Sequence, residues 1–135
     1  MNLFPNSPIK MDYTPATDIL YVEYPDLDSA LLPVIKNSFT ILVEAIVNYD
    51  VKRLLLDASR THVSISEEEN RDISIQLATA LAKTRLQKVA RIQPLDPVLE
   101  NKAQNNISRI HQKGVLTYEL RTFSSNQEAV KWLQS

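Results

Sequence analysis

At 135 residues, with 44% hydrophobic and 23% charged positions, the chain has the size and composition of one soluble globular domain. Fifteen basic against sixteen acidic residues give a net charge of -1, which offers no long-range attraction for nucleic acid or an anionic membrane. Cysteine is absent, which excludes disulfides and thiolate metal sites, and a single glycine, Gly114, excludes glycine-rich phosphate loops of the GxGxxG or P-loop kind.

Taken in chain order, the N-terminal MNLFPNSPIK lacks the apolar run of a signal peptide, and no segment reads as a bilayer span, so a cytoplasmic protein is expected. No repeat, low-complexity tract or linker divides the chain, so residues 1–135 are expected to form one domain. Residues 9–14 place Ile9, Met11 and Tyr13 at alternate positions, turn residues follow at 15–18, and 19–24 is rich in strand formers. So short a turn predicts an antiparallel hairpin. Asp28 and Ser29 suit a helix cap, with Pro33 in the first turn, and Leu32, Ile35, Phe39, Leu42, Val43 and Ile46 share one helical face.

The apolar run 51–58 predicts a strand buried on both faces. Ser66 to Glu69 has the S-x-x-E form of a capping box, and Ile73, Leu77, Ala80 and Leu81 continue at helical spacing. A further strand is expected at 88–93. Asp96-Pro97 then opens a helix whose inner face holds Leu99, Ala103, Ile107 (or Asn106) and Ile110, with Gly114 as its C-terminal cap. A last strand at 115–123 and a second box at 125–128 lead into a short helix with Ala129, Trp132 and Leu133 inward. The order ββαβαβαβα predicts an α/β domain: a mixed, mostly parallel sheet with an opening antiparallel hairpin and flanking helices.

With the hairpin DYTPATDILYVEY, the strand end VKRLLLDAS, the strand LQKVARIQP and the closing NQEAVKWL, this order resembles the SpoIIAA-like branch of the STAS domains, the sulfate-transporter and anti-sigma-factor-antagonist family. The resemblance spans nearly the whole chain and implies a mixed sheet flanked by helices. For the antagonists it implies a protein partner and a switch by serine phosphorylation at the start of the helix after a D-x-S strand. Asp57-Ala-Ser59 matches D-x-S, but Ile65-Ser66-Glu67-Glu68 stands where the family has Asp-Ser-Ser-Gly. Other SpoIIAA-like proteins are grouped with lipid-carrier-like (SEC14-like) domains, which implies a small apolar ligand.

The candidate site residues are Asp57, Ser59 and His62, at the C-terminal end of a parallel strand where open α/β sheets place ligand crevices. Turn chemistry accounts for Asp57 and Ser59 equally well. Ser59 and Ser66 are the candidate phosphorylation sites, although Ser66 followed by three glutamates also reads as a plain helix cap. A receiver-type phosphoacceptor at Asp57 lacks its metal and cation set. A Ser-His-Asp hydrolase lacks the G-x-S-x-G elbow, and neither His62 nor His111 has a partner at metal-ligand spacing. The basic residues Lys83, Arg85, Lys88 and Arg91 read as a solvated helix end and the loop beside it. On the first helix, Leu31, Val34, Ile41 and Val47 lie off the inward stripe, a pattern that suits a ligand, a partner or a second copy of the chain and equally a deeply packed core helix. The expectation is a non-enzymatic binding domain that needs no cofactor or metal, holding a small apolar ligand or docking a protein, a homodimer included. A phospho-switch in anti-sigma partner switching is the alternative.

Overall fold

The computed structural model describes residues 2–3 and 9–135; the remaining residues of the N-terminal stretch, read above for a signal peptide, lie outside the described part. Among the described residues, eight strands and four α-helices follow in order: β1 (Asn2–Leu3), β2 (Met11–Thr14), β3 (Ile19–Glu23), β4 (Leu27–Asp28), α1 (Leu32–Asn48), β5 (Arg53–Asp57), β6 (Val63–Ser64), α2 (Glu67–Ala82), β7 (Lys88–Ile92), α3 (Pro97–Lys113), β8 (Glu119–Phe123) and α4 (Asn126–Leu133). The main sheet runs β1-β2-β3-β5-β7-β8, and a two-residue parallel pair, β4 with β6, stands apart from it.

The hairpin β2–β3 is antiparallel, with Met11 opposite Val22 and Thr14 opposite Ile19. Its turn is held by Thr17 N donating to Thr14 O at 3.2 Å and by Asp18, which takes a positive φ of 54°. The Asp18 carboxylate accepts from the Tyr13 hydroxyl at 2.8 Å and the Lys52 amide at 3.3 Å, so one short acidic side chain fixes both the turn and the neighbouring strand. β1 adds a second antiparallel pairing at the edge.

From β3 onward every pairing is parallel, and each crossover steps one strand further in the same direction. Right-handed crossovers in one direction place α1, α2 and α3 on one face of the sheet, and α4 covers the other. The two-residue period of the strands sorts the core accordingly. Leu20, Val22, Leu54, Leu56 and Val89 pack with α1 and α2, whereas Ile19, Leu55, Ala90 and Ile92 pack with Ala129 and Leu133 of α4.

Local signals set the helix ends. Asp28 accepts from Ala30 N at 2.9 Å and starts a 3₁₀ turn, Ser29–Leu31, that leads into α1 with Pro33 in its first turn. Ser66 and Glu69 form the complete reciprocal box at the start of α2, but at α4 only Ser125 accepting from Glu128 N is made. Asp96 caps α3, and Gly114 closes it at φ 65°, a left-handed conformation that glycine adopts without Cβ strain.

Three expectations need correction. The last strand begins at Glu119 rather than 115, because 115–118 forms a loop that turns Tyr118 into the interior. In α2 the buried alanine is Ala78, with Ala80 only half-buried. The helical stretch 29–48 is, by length and composition, long and apolar enough to cross a bilayer, contrary to the sequence reading. Here it packs as a crossover helix, with Ile35, Phe39, Leu42, Ala45 and Ile46 buried against the sheet.

Candidate functional site

Asp57 ends β5 between Glu23 of β3 and Ile92 of β7. It shares the side of the strand with Leu55 and therefore points toward the α4 face. Its Oδ1 accepts from the Ser59 amide at 3.0 Å and the Ser59 hydroxyl at 2.6 Å, and its Oδ2 accepts from the Tyr21 hydroxyl. Partial burial would raise its carboxyl, but these hydrogen bonds and the charge of Arg60 outweigh it and hold the group below the usual carboxylate range. Tyr21 is pushed up correspondingly, first by burial and then by its bond to Asp57.

The structure thus brings Asp57 and Ser59 together as a turn. His62 is not part of it. That residue is exposed, and its backbone is tied to the 26–27 segment: its N–H donates to Asp26 Oδ1 at 2.9 Å and its carbonyl accepts from Leu27 N at 2.8 Å. Ser66 spends its hydroxyl on the Glu69 amide at 3.0 Å, while the Glu69 carboxylate accepts from Ser66 N at 3.1 Å. Leu31, at the end of the 3₁₀ turn, is 49% exposed; on α1, Val34 is 44% exposed and Ile41 is half-buried against the core.

None of those residues lines the cavity that the fold does contain. A chamber of about 140 Å³ lies between the sheet, α2 and α3. Its floor is Leu56, Val89 and Leu120; α2 contributes Leu77, Ala78 and Leu81; α3 contributes Leu99, Ala103, Ile107 and Ile110. Tyr24, Leu27, Thr61 and Val63 close one end, so the small β4–β6 pair is part of the wall. The cause of the gap is visible in the facing residues. Asn70, Ser74 and Ala78 recur every four positions along α2, and they meet Ala103 and Asn106 of α3. Small and polar groups on both helices cannot fill the space between them.

α3 is fastened to the rest of the fold near its two ends. Near its start, Glu100 forms a bidentate pair with Arg91 of β7, at 2.6 and 3.1 Å, both side chains being only 13% exposed. Gln104 Nε2 donates to Glu100 Oε2 at 2.7 Å, and the Thr122 hydroxyl oxygen accepts from both Arg91 and Gln104. Partial burial alone would raise the Glu100 carboxyl, but the bonds from Arg91 and Gln104 hold it below the usual range. Near its end, Ile110 is the one fully buried residue of α3. Between them, Ala103, Asn106 and Ile107 line the chamber and are only half-buried.

Two tyrosines face this space. Tyr24 is half-buried and lines the chamber, and desolvation by the protein around it pushes its hydroxyl up to about 12; its ring tilts on Phe39 at 5.7 Å between centroids. Tyr118, nine-tenths buried, is pushed up to about 12 by burial. Neither hydroxyl has a protein partner among the described residues. No polar side-chain atom there is both sealed and unpaired, so both hydroxyls touch open space.

Two other depressions adjoin these helices. A trough of about 350 Å³ between α1 and α2, lined by Lys36, Phe39, Val43, Glu44 and Gln76 among others, receives no residue from the sheet and is a surface feature. A groove of about 80 Å³ on the outer side of α2 and α3 is lined by Glu67, Asn70, Arg71, Lys102, Asn105, Asn106 and Arg109.

No protein-family model matches the chain, and no curated protein does either. The crystal structure of an uncharacterized protein of the DUF3478 family from Shewanella loihica PV-4, with a SpoIIAA-like fold, is similar to it at a TM-score of 0.51. The two share 15% sequence identity over 93% of this chain and 91% of that one. Sheet order, crossover direction and this likeness together establish that the chain has a SpoIIAA-like fold.

Proposed function

We propose that the protein is a non-enzymatic binding domain that holds a small apolar ligand in the chamber between α2, α3 and the sheet. The observation that carries this reading is an apolar space left open beside a well-packed core. An unfilled space of about 140 Å³ forgoes packing worth at most about 3 kcal/mol, the cost of a fully sealed void of that size. The larger part of its wall is apolar, which suits an apolar ligand, and the unpartnered hydroxyls of Tyr24 and Tyr118 give that ligand points of orientation.

Native mass spectrometry of freshly purified protein, repeated after denaturation, tests the reading. Extra mass that disappears on denaturation is the expected result and supplies the ligand for identification. Bare protein whose melting temperature is unmoved by any apolar probe overturns it.

A second reading, docking of a protein or a second copy on α1, is supported by the exposure of Leu31 at 49%, Val34 at 44% and Val47 at 61%. The phospho-switch has no comparable support. A phosphate on Ser66 would take the α2 cap apart and sit among Glu67, Glu68 and Glu69, and one on Ser59 would face the Asp57 carboxylate.

A further inference from the structure

We infer that the ligand is an amphiphilic anion, with its apolar part in the chamber and a carboxylate or phosphate head in the groove between α2 and α3. The inference rests on the chamber reading and adds the chemical class.

The chamber and the outer groove share three lining residues, Asn70, Lys102 and Asn106. The groove is therefore the chamber's neighbour across one layer of side chains, and a molecule leaving between α2 and α3 passes through it. Three cations, Arg71, Lys102 and Arg109, line the groove against one carboxylate, Glu67, on a chain whose net charge is -1. Glu67 neutralises little of this: its contact with Lys102 is 3.8 Å, with the Glu67 side chain largely in solvent and that of Lys102 about half so. Arg71 and Arg109 have no carboxylate within ion-pair distance and no side-chain hydrogen bond among the described residues, and the same bonds are missing at the Asn70, Asn105 and Asn106 amides.

The contrast with Arg91 is informative. That guanidinium also lines the chamber, but its charge is paired with Glu100 and a further N–H goes to Thr122. The free guanidiniums lie one residue from chamber-lining positions: Arg71 follows Asn70, and Arg109 precedes Ile110. A planar guanidinium binds a two-oxygen or three-oxygen anion in a fork, and the asparagine amides add donors. A cation in this groove would be repelled, and a wholly apolar ligand would leave its donors idle. The apolar part is modest in size, since a cavity near 150 Å³ accommodates benzene.

The test uses the full chain and a homologous series of straight-chain carboxylates, butanoate to dodecanoate. Each is compared by calorimetry with the primary alcohol and the alkyl phosphate of the same length. The expected result is that an acid or a phosphate binds about tenfold or more tightly than its alcohol, with an advantage that shrinks as salt is added. Which of the two anions binds better identifies the head. In the Arg71→Gln/Arg109→Gln variant the advantage should fall by about tenfold while alcohol affinity and melting temperature stay put. Alcohols and anions binding equally at every length would overturn the charged head and leave the chamber standing. Binding of neither at any length would remove the chamber reading as well. A preference for anions that survives in the double variant would move the head elsewhere and sink the groove assignment.

Discussion

Three hydrogen bonds converge on the Asp57 carboxylate, from the Tyr21 hydroxyl and from the amide and hydroxyl of Ser59. They favour its charged form, so its folded pKa lies below the unfolded one. A carboxyl depressed in this way contributes stability that is fully present above its unfolded pKa and lost as the pH falls through the folded value. Asp57→Asn is therefore expected to unfold at lower denaturant at pH 7, by roughly 1–3 kcal/mol, the scale of hydrogen bonds to a charged group. The deficit should narrow as the pH falls below the ordinary carboxylate range. Ligand binding should be unchanged, because Asp57 points toward α4 and the chamber lies on the other face. A pH-independent deficit, or loss of binding, would contradict this placement. The sequence made the Asp57–Ser59 turn legible, since both residues are short, polar and at a strand end. The side to which Asp57 points was also there to be read: it alternates with Leu54 and Leu56. The position of the cavity was not, because it depends on how far α3 stands from the sheet.

The element that decides this distance is α3. Its limits were written plainly in Asp96-Pro97 and in Gly114. Its inner face was legible as well, for Leu99, Ala103, Ile107 and Ile110 all point toward the sheet, yet only Ile110 is fully buried. The ion pair that fastens α3 to the sheet joins β7 to the helix that follows it, and nothing in the pattern of the sequence distinguishes Arg91 from the solvated charges near it. Neither did any pattern announce the β4–β6 pair, two residues on each side, which closes the chamber end. Glu100→Gln leaves the Arg91 guanidinium, 13% exposed, without its carboxylate. The loss should be about 2–4 kcal/mol at pH 7, somewhat below that for a fully sealed pair. Because the Glu100 carboxyl is also depressed, the difference from the parent should shrink in acid as that carboxyl is protonated. Amide hydrogen exchange gives the element-level readout: α3 amides should exchange faster in the variant, while those of α1 and α2 keep their protection. Uniform acceleration across all helices would mean that the pair stabilises the whole domain rather than holding α3.

At the scale of the molecule, the sheet is served unequally by its two faces. The α4 face is closed by one eight-residue helix packed on Leu55, Ala90 and Ile92. The opposite face carries three long helices, and between α2, α3 and the sheet it leaves a chamber unfilled. A fold selected for stability alone would close that gap with a larger side chain, so the gap itself separates stability from use. Ala103→Leu makes the separation measurable. Ala103 lines the chamber and is half-buried, and three added carbons occupy part of about 140 Å³ without meeting the packed core. Burying them should add on the order of 1 kcal/mol, or about 2–6 °C in melting temperature for a domain of this size. The same substitution should abolish binding of the apolar part of any ligand. A variant that is more stable and no longer binds would establish the chamber as space kept open for a ligand. One that is less stable would show that α2 and α3 approach more closely than this geometry, since overpacking a filled core costs 1–3 kcal/mol, roughly the opposite of the gain expected here.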